Sequence, residues 1–267
     1  MKLRPVAAII LRQWYLLRGS PVRIMPMFAW VAIDIVLWGF ITRYLNAVSA
    51  AGINFTALLL GAVLLWDLFG RVMQGVTTAF LEDVWSRNFL NLFASPLTIS
   101  EYVTGLVITS IAGSVIGLIV MLALAVPVFG LSFLALGAHL ALFLLVLYAF
   151  GVALGVLASA MVLRLGPASE WLVWPIPALL SPFCGVFYPL AVLPGWMRAL
   201  AHLLPPSYVF EGMRALLLGR PASLAALLWA AALAMLEIVL AAGCFVLVYR
   251  YAVRSGLLAR YSAETVS

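Results

Sequence analysis

Long apolar runs separated by short polar or proline-rich breaks dominate the chain. Residues 24–42, 54–80, 102–129, 133–163 and 223–249 are each nearly unbroken apolar sequence, and as helices they are long enough to cross a hydrocarbon layer about 30 Å thick. A further run, 171–187, contains Pro175, Pro177 and Pro182. Proline removes a helix donor and clashes with the preceding turn, so a broken or kinked span is expected there, tolerable only where protein or water satisfies the freed carbonyls. The runs are continuous rather than alternating, which argues against a barrel. The pattern predicts an all-α polytopic membrane protein, one transmembrane domain over residues 1–267 with six transmembrane helices.

Three stretches break this pattern in other ways. Residues 1–23 interleave Lys2, Arg4, Arg12, Arg18 and Arg23 with Leu3, Val6, Ile9, Ile10, Trp14, Leu16 and Leu17, as expected of a basic amphipathic helix lying on an anionic leaflet. Residues 81–101 place Trp85, Phe89, Leu92 and Phe93 on one helical face and Glu82, Ser86, Arg87 and Asn91 elsewhere, so this connector is expected to rest on the membrane. Ser95-Pro96 ends it, and Thr98, Ser100 and Glu101 offer caps for the next span. Residues 188–220 are too apolar for a solvated loop, yet are punctuated by Pro194-Gly195, Pro205-Pro206 and Gly219. Pieces shorter than about 14 residues read as re-entrant half-helices, here a hairpin dipping into the bilayer.

Composition agrees with the membrane reading: 66% of residues are hydrophobic and 9% charged, with a mean hydropathy of +1.19, against roughly a quarter charged in soluble domains. The net charge of +6 is explained by topology rather than by nucleic acid. Six alternating spans put residues 1–23, 81–101, 164–170 and 250–267 on one side, with Lys2, Arg4, Arg12, Arg18, Arg23, Arg87, Arg164, Arg250, Arg254 and Arg260, ten of the fifteen basic residues. By the positive-inside rule both termini are cytoplasmic. The expected location is the bacterial cytoplasmic (inner) membrane. Arg12 and Arg18 interrupt any signal-peptide core, so the N-terminal segment is expected to remain on the mature protein.

Catalytic constellations are missing from the sequence. No HExxH, GxSxG or GxxxxGK[ST] occurs and the only lysine is Lys2, so the chain has no P-loop and is expected to be no enzyme. His139 and His202 are solitary, and Cys184 and Cys244 lie far apart, so neither a metal site nor a disulfide framework is indicated. Intramembrane charge is the candidate chemistry, because an ionisable group in a span is costly and marks a functional site or a pair. Asp67 and Arg71 are spaced i,i+4 with the acid first, and Glu211 and Arg214 i,i+3, both suited to pairing along one helix. Asp34 and Glu237 have no local partner in sequence. Trp30, Trp38, Trp66 and Trp174 sit deep in their spans, where rings can stack on sugar or aromatic substrates. Two mechanisms stay open at this point: a permease energised by a separate ATPase, and a proton-coupled secondary transporter using Asp34, Asp67 and Glu237.

Local patterns then resemble a known family, the membrane subunits of ABC-2 type ATP-binding-cassette transporters, over essentially the whole chain. They are the basic N-terminal helix, the stretch Arg87-Asn-Phe-Leu-Asn-Leu-Phe-Ala-Ser-Pro96, and the series Gly185-Val-Phe-Tyr-Pro189, Leu193-Pro194-Gly-Trp196, Leu203-Leu204-Pro205-Pro206 and Glu211-Gly-Met-Arg214. The resemblance implies an exporter permease for a lipid-linked, saccharide or drug-like substrate, acting with a second copy and two cytoplasmic ATPase subunits. ATP and Mg would be bound by those partners and no cofactor by this chain. It further implies that Glu82, Asp83, Trp85, Arg87, Phe89, Leu92 and Pro96 contact the ATPase. Trp30, Asp34, Trp38, Trp66, Asp67, Arg71 and Trp174 would line the path, and Gly185, Pro189, Pro194, Trp196, Pro205, Glu211 and Arg214 would build the outward hairpin.

Overall fold

The computed structural model describes residues 2–49, 54–86, 88, 92, 95–133, 136–166 and 169–257. Its helices are α1 (Leu3–Arg18), α2 (Pro21–Val48), α3 (Gly61–Trp85, preceded by a π-helical turn, Thr56–Leu60), α4 (Ile99–Phe129), α5 (His139–Leu165), α6 (Glu170–Val173), α7 (Ile176–Cys184), α8 (Gly195–Ala201), α9 (Pro205–Leu217) and α10 (Leu224–Arg254). Among the described residues, five stretches are long and apolar enough to cross a membrane: Ala29–Val48, Thr56–Trp85, Ile99–Phe129, His139–Leu165 and Leu224–Arg254. The chain is a multi-pass helical membrane protein.

The enclosed element is α3, which packs along α4 on one side and α5 on another, while α10 lies along α5. Lipid tails are as apolar as Leu, so helices in a bilayer associate through close packing and interhelical hydrogen bonds rather than through expulsion of water. Both devices are present. Gly151 and Gly155 on α5 form a G-x-x-x-G pair, and a Cβ there would stand 2.9 Å from the Phe69 carbonyl oxygen and 3.0 Å from that of Met73. On α4, the Ser110 and Ser114 hydroxyls donate to the α3 carbonyls of Val72 (2.8 Å) and Leu68 (3.2 Å). Aromatic rings fill the space between, with Phe69 beside Phe150 at 5.1 Å and Phe80 edge-on to Phe245 at 5.8 Å.

The hydropathy pattern ends the second span at Phe80, where Glu82 and Asp83 begin, but the helix runs on to Trp85. Leu81 and Val84 continue the buried stripe of Phe80, and Asp83 is neutralised from another helix, so the charges do not terminate it. The next span begins three residues earlier than 102, at Ile99. Thr98 and Glu101 form a capping box, with Glu101 N–H on the Thr98 hydroxyl at 3.3 Å and Thr98 N–H on the Glu101 carboxylate at 3.1 Å. Residues 81–101 thus begin in the last turn of α3 and end in the first turn of α4, while most of the amphipathic face expected between them, Phe89 and Phe93 included, lies outside the described residues.

The expected span at 171–187 is two short helices, α6 and α7, parted at Trp174-Pro175, with Pro182 inside α7. Neither is long enough to cross alone. The chain nevertheless travels the length of the bundle here. At one end the Arg164 guanidinium lies 4.1 Å over the Tyr251 ring, near the C-terminal ends of α5 and α10. At the other, Gly212 of α9 lies against Phe143 and Leu227, near their N-terminal ends.

Candidate functional site

Along α3, Asp67, Arg71, Gln74, Thr78 and Glu82 follow one another at steps of three or four residues, one polar face on an otherwise apolar helix. That face borders a cavity of about 600 Å³. Gln13 and Leu17 of α1, Trp30 and Asp34 of α2, Thr109 of α4, and Trp174 between α6 and α7 close it. Arg71 holds Asp67 through Nε (2.8 Å) and Nη2 (2.7 Å), and its side chain crosses in front of Gly117, where a Cβ would stand 3.3 Å from the Arg71 Cδ.

Near Glu82 a second charged group closes the bundle. Asp83 is 1% exposed and accepts both Nη groups of Arg12 and the hydroxyl of Tyr102 at 2.7 Å. Partial burial pulls the Arg12 guanidinium down in pKa, but the hydrogen bond and charge of Asp83 outweigh it and hold the group above its ordinary value. The same helix seats Val6 and Ile9 against Gly105, where a Cβ would stand 2.6 Å from an Ile9 methyl, and the Lys2 amide donates to Glu101 at 2.7 Å. Leu3, Leu11, Trp14 and Tyr15 face outward. The N-terminal helix is thus docked on α3 and α4 by one face and leaves a second apolar face open.

At the opposite end, Gly185 ends α7 in the left-handed region (φ 61), and a Cβ there would stand 2.8 Å from Leu190 Cδ2 and 3.0 Å from the Tyr188 carbonyl oxygen. Arg214, 7% exposed, donates to Glu211 at 3.0 Å and toward the Val186 carbonyl at 3.4 Å, while Glu211 accepts the Leu190 amide at 2.7 Å. This pair therefore pins the turn after α7 onto α9. Pro189 precedes a 3-10 turn at Leu190–Val192, Pro194 precedes α8, and Pro205 begins α9. Trp196 stands edge-on to Phe183 at 6.3 Å.

Of the residues expected on the path, Trp30, Asp34, Asp67, Arg71 and Trp174 meet in the cavity, whereas Trp38 stacks on Phe187 at 5.0 Å and Trp66 packs against Phe69 and Phe210 in the core. Aromaticity alone does not separate a cavity ring from a core ring. Among the residues expected to meet a partner, Trp85 is exposed and Glu82 and Leu92 are half-buried, but Asp83 points inward. Pro96 is exposed; Arg87 and Phe89 lie outside the described residues. Gln13, Gln74, Thr78 and Thr109 are cavity residues the sequence reading passed over. The repeat of polar positions through 67, 71, 74, 78 and 82 was the signal for the two on α3, Gln74 and Thr78. Glu237 lies elsewhere, on α10, with its Oε2 buried and lacking a hydrogen-bond partner among the described residues.

No curated protein sequence matches the chain significantly. The family model described as ABC-2 type transporter matches residues 6–218, from the docked N-terminal helix through the Glu211–Arg214 turn and the end of α9. Five membrane-length helices and a family match over most of their length make this chain an ABC-2 type transporter permease subunit.

Proposed function

We propose that the chain is the membrane half of an ATP-driven exporter, paired with a second permease copy and two separate cytoplasmic ATPase subunits. The observation that carries this is the cavity along α3 with Asp34, Asp67, Arg71 and Glu82 in its wall, since ionisable groups in a span are costly and mark a functional site. Its end near Glu82 adjoins the Arg12–Asp83–Tyr102 cluster, and in this reading a partner acting at the end of α3 reaches the cavity wall through that cluster. Glu82, Trp85, Arg87, Phe89, Leu92 and Pro96 form the ATPase contact in this reading, and Asp83 acts behind them by fixing α1. ATP with its magnesium binds on the partner. Both termini are cytoplasmic, the hairpin at 188–220 faces outward, and the home of the complex is the bacterial inner membrane. The proton-coupled alternative is less well supported, because Asp34 and Asp67 share the cavity while Glu237 does not line it.

The test is co-purification of a cytoplasmic ATPase with the tagged chain, followed by hydrolysis and vesicle transport with Arg87→Glu and Phe89→Asp. Both substitutions are expected to release the ATPase and abolish ATP-dependent transport while the protein still runs as a folded species. Transport driven by a pH gradient without ATP, or unchanged ATPase association in both variants, overturns the proposal.

A further inference from the structure

Three acids, Asp34, Asp67 and Glu82, and one cation, Arg71, line the cavity. Asp67 and Arg71 neutralise each other. Asp34 enters the same space from α2, within Coulombic reach of both, and makes no hydrogen bond or ion pair with any described residue. One helical turn before it, Trp30 lines the same cavity. Trp174 lines it from the break between α6 and α7, with its indole N–H already donated to Glu170 at 2.9 Å. What Trp174 offers an occupant is therefore its ring.

We infer that the cavity receives an organic cation with aromatic or apolar bulk, its charge at the Asp34 carboxylate and its rings against Trp30 and Trp174. The inference rests on the cavity being the transport path, and it narrows the substrate class. A carboxylate in a low-dielectric space is stabilised most by a counter-charge, and an indole face attracts a cation through its quadrupole. An anionic phosphate-linked lipid or acidic glycan would meet Asp34, Asp67 and Glu82 with Arg71 already engaged by Asp67. A neutral saccharide would satisfy Gln13, Gln74 and Thr78 but leave Asp34 without a counter-charge. A volume of about 600 Å³ falls in the range of about 300–1,000 Å³ typical of sites for drug-sized ligands.

The experiment is equilibrium dialysis of radiolabelled tetraphenylphosphonium against the full-length chain in detergent micelles, with empty micelles as the blank and no ATPase or nucleotide. Tetraphenylborate, of the same shape and opposite charge, and maltotriose are the competitors. Saturable binding of the phosphonium that neither competitor displaces is expected. Asp34→Asn should weaken it by about ten-fold or more, Trp30→Ala by about three-fold, and Asp34→Glu should retain it. Equal affinity for the borate, displacement by maltotriose, or wild-type affinity in Asp34→Asn overturns the cation assignment. The comparison of the two ions on the unaltered chain needs no variant to fold. Because the assay contains no ATPase, its result separates from that of the transport assay. ATP-driven transport with no phosphonium binding removes the cation site and keeps the permease role. Phosphonium bound at Asp34 by a chain that no ATPase drives does the reverse.

Discussion

Asp83 shows how a single residue can change its meaning between sequence and structure. In the sequence it belongs to a charged group following an apolar run, and a solvated, partner-facing role is the natural expectation. In the bundle it is buried and shared by Arg12, 71 residues earlier in the chain, and by Tyr102 of α4. A buried ion pair adds little net stability over an apolar replacement, but removing one partner strands the other charge. Arg12→Ala leaves the Asp83 carboxylate with only the Tyr102 hydroxyl and is expected to cost about 3 kcal/mol. Removing both charges, in Arg12→Met with Asp83→Leu, should recover much of that loss. Reversible unfolding in mixed micelles, read as a double-mutant cycle, measures the coupling. Additive effects of the two single changes would show that the pair does not act as a unit.

At the scale of elements, α1 carries the same lesson. Gly105 on α4 permits Ile9 and Val6 to approach the α4 backbone, so the seating of an entire helix depends on a missing side chain. Gly105→Val should lift α1 from the bundle without unfolding the long helices. The expected readout is faster tryptic cleavage at Arg12 and Arg18 with unchanged helical circular dichroism; cleavage at the wild-type rate would show that α1 is held by other contacts. How much of this was legible follows from the kind of signal each element leaves. The long apolar helices were readable because a membrane span is written in one continuous stretch. The break at Trp174-Pro175 was readable because proline acts locally. The helix end at Trp85 was missed by five residues, since Asp83 is neutralised by Arg12, remote in sequence, and the start at Ile99 by three, because the local Thr98–Glu101 capping box places the helix ahead of the apolar run. The cavity was half legible: the acids stood out by cost, while Trp66 and Trp38 were indistinguishable from Trp30 and Trp174 until the packing put two of them in contact with other rings.

For the whole molecule, the decisive quantity is the number of crossings, because it fixes which ends share a side. If only the five long helices crossed, α1 and the end of α10 would lie on opposite sides, and Arg250 and Arg254 would be stranded opposite Arg4, Arg12 and Arg18, against the positive-inside rule. A crossing by residues 170–190 restores the balance. The segment joins the Arg164–Tyr251 end of the bundle to the Phe143–Leu227 end, and α5, which runs between those ends, has 27 residues, about 40 Å at 1.5 Å per residue. Two short helices with an unwound break can bridge that length where their free carbonyls face protein or a polar cavity, and Trp174 at the break lines such a cavity. Single cysteines on a Cys184→Ala, Cys244→Ala background, placed at exposed Arg18, Arg198 and Arg254, are therefore expected to fall into two classes toward an impermeant maleimide applied to intact cells. Position 198 should label from outside, and positions 18 and 254 only after the membrane is opened. Labelling of 254 from outside would mean that residues 170–190 turn back within the bilayer, and would place the C-terminal end of α10 away from the ATPase.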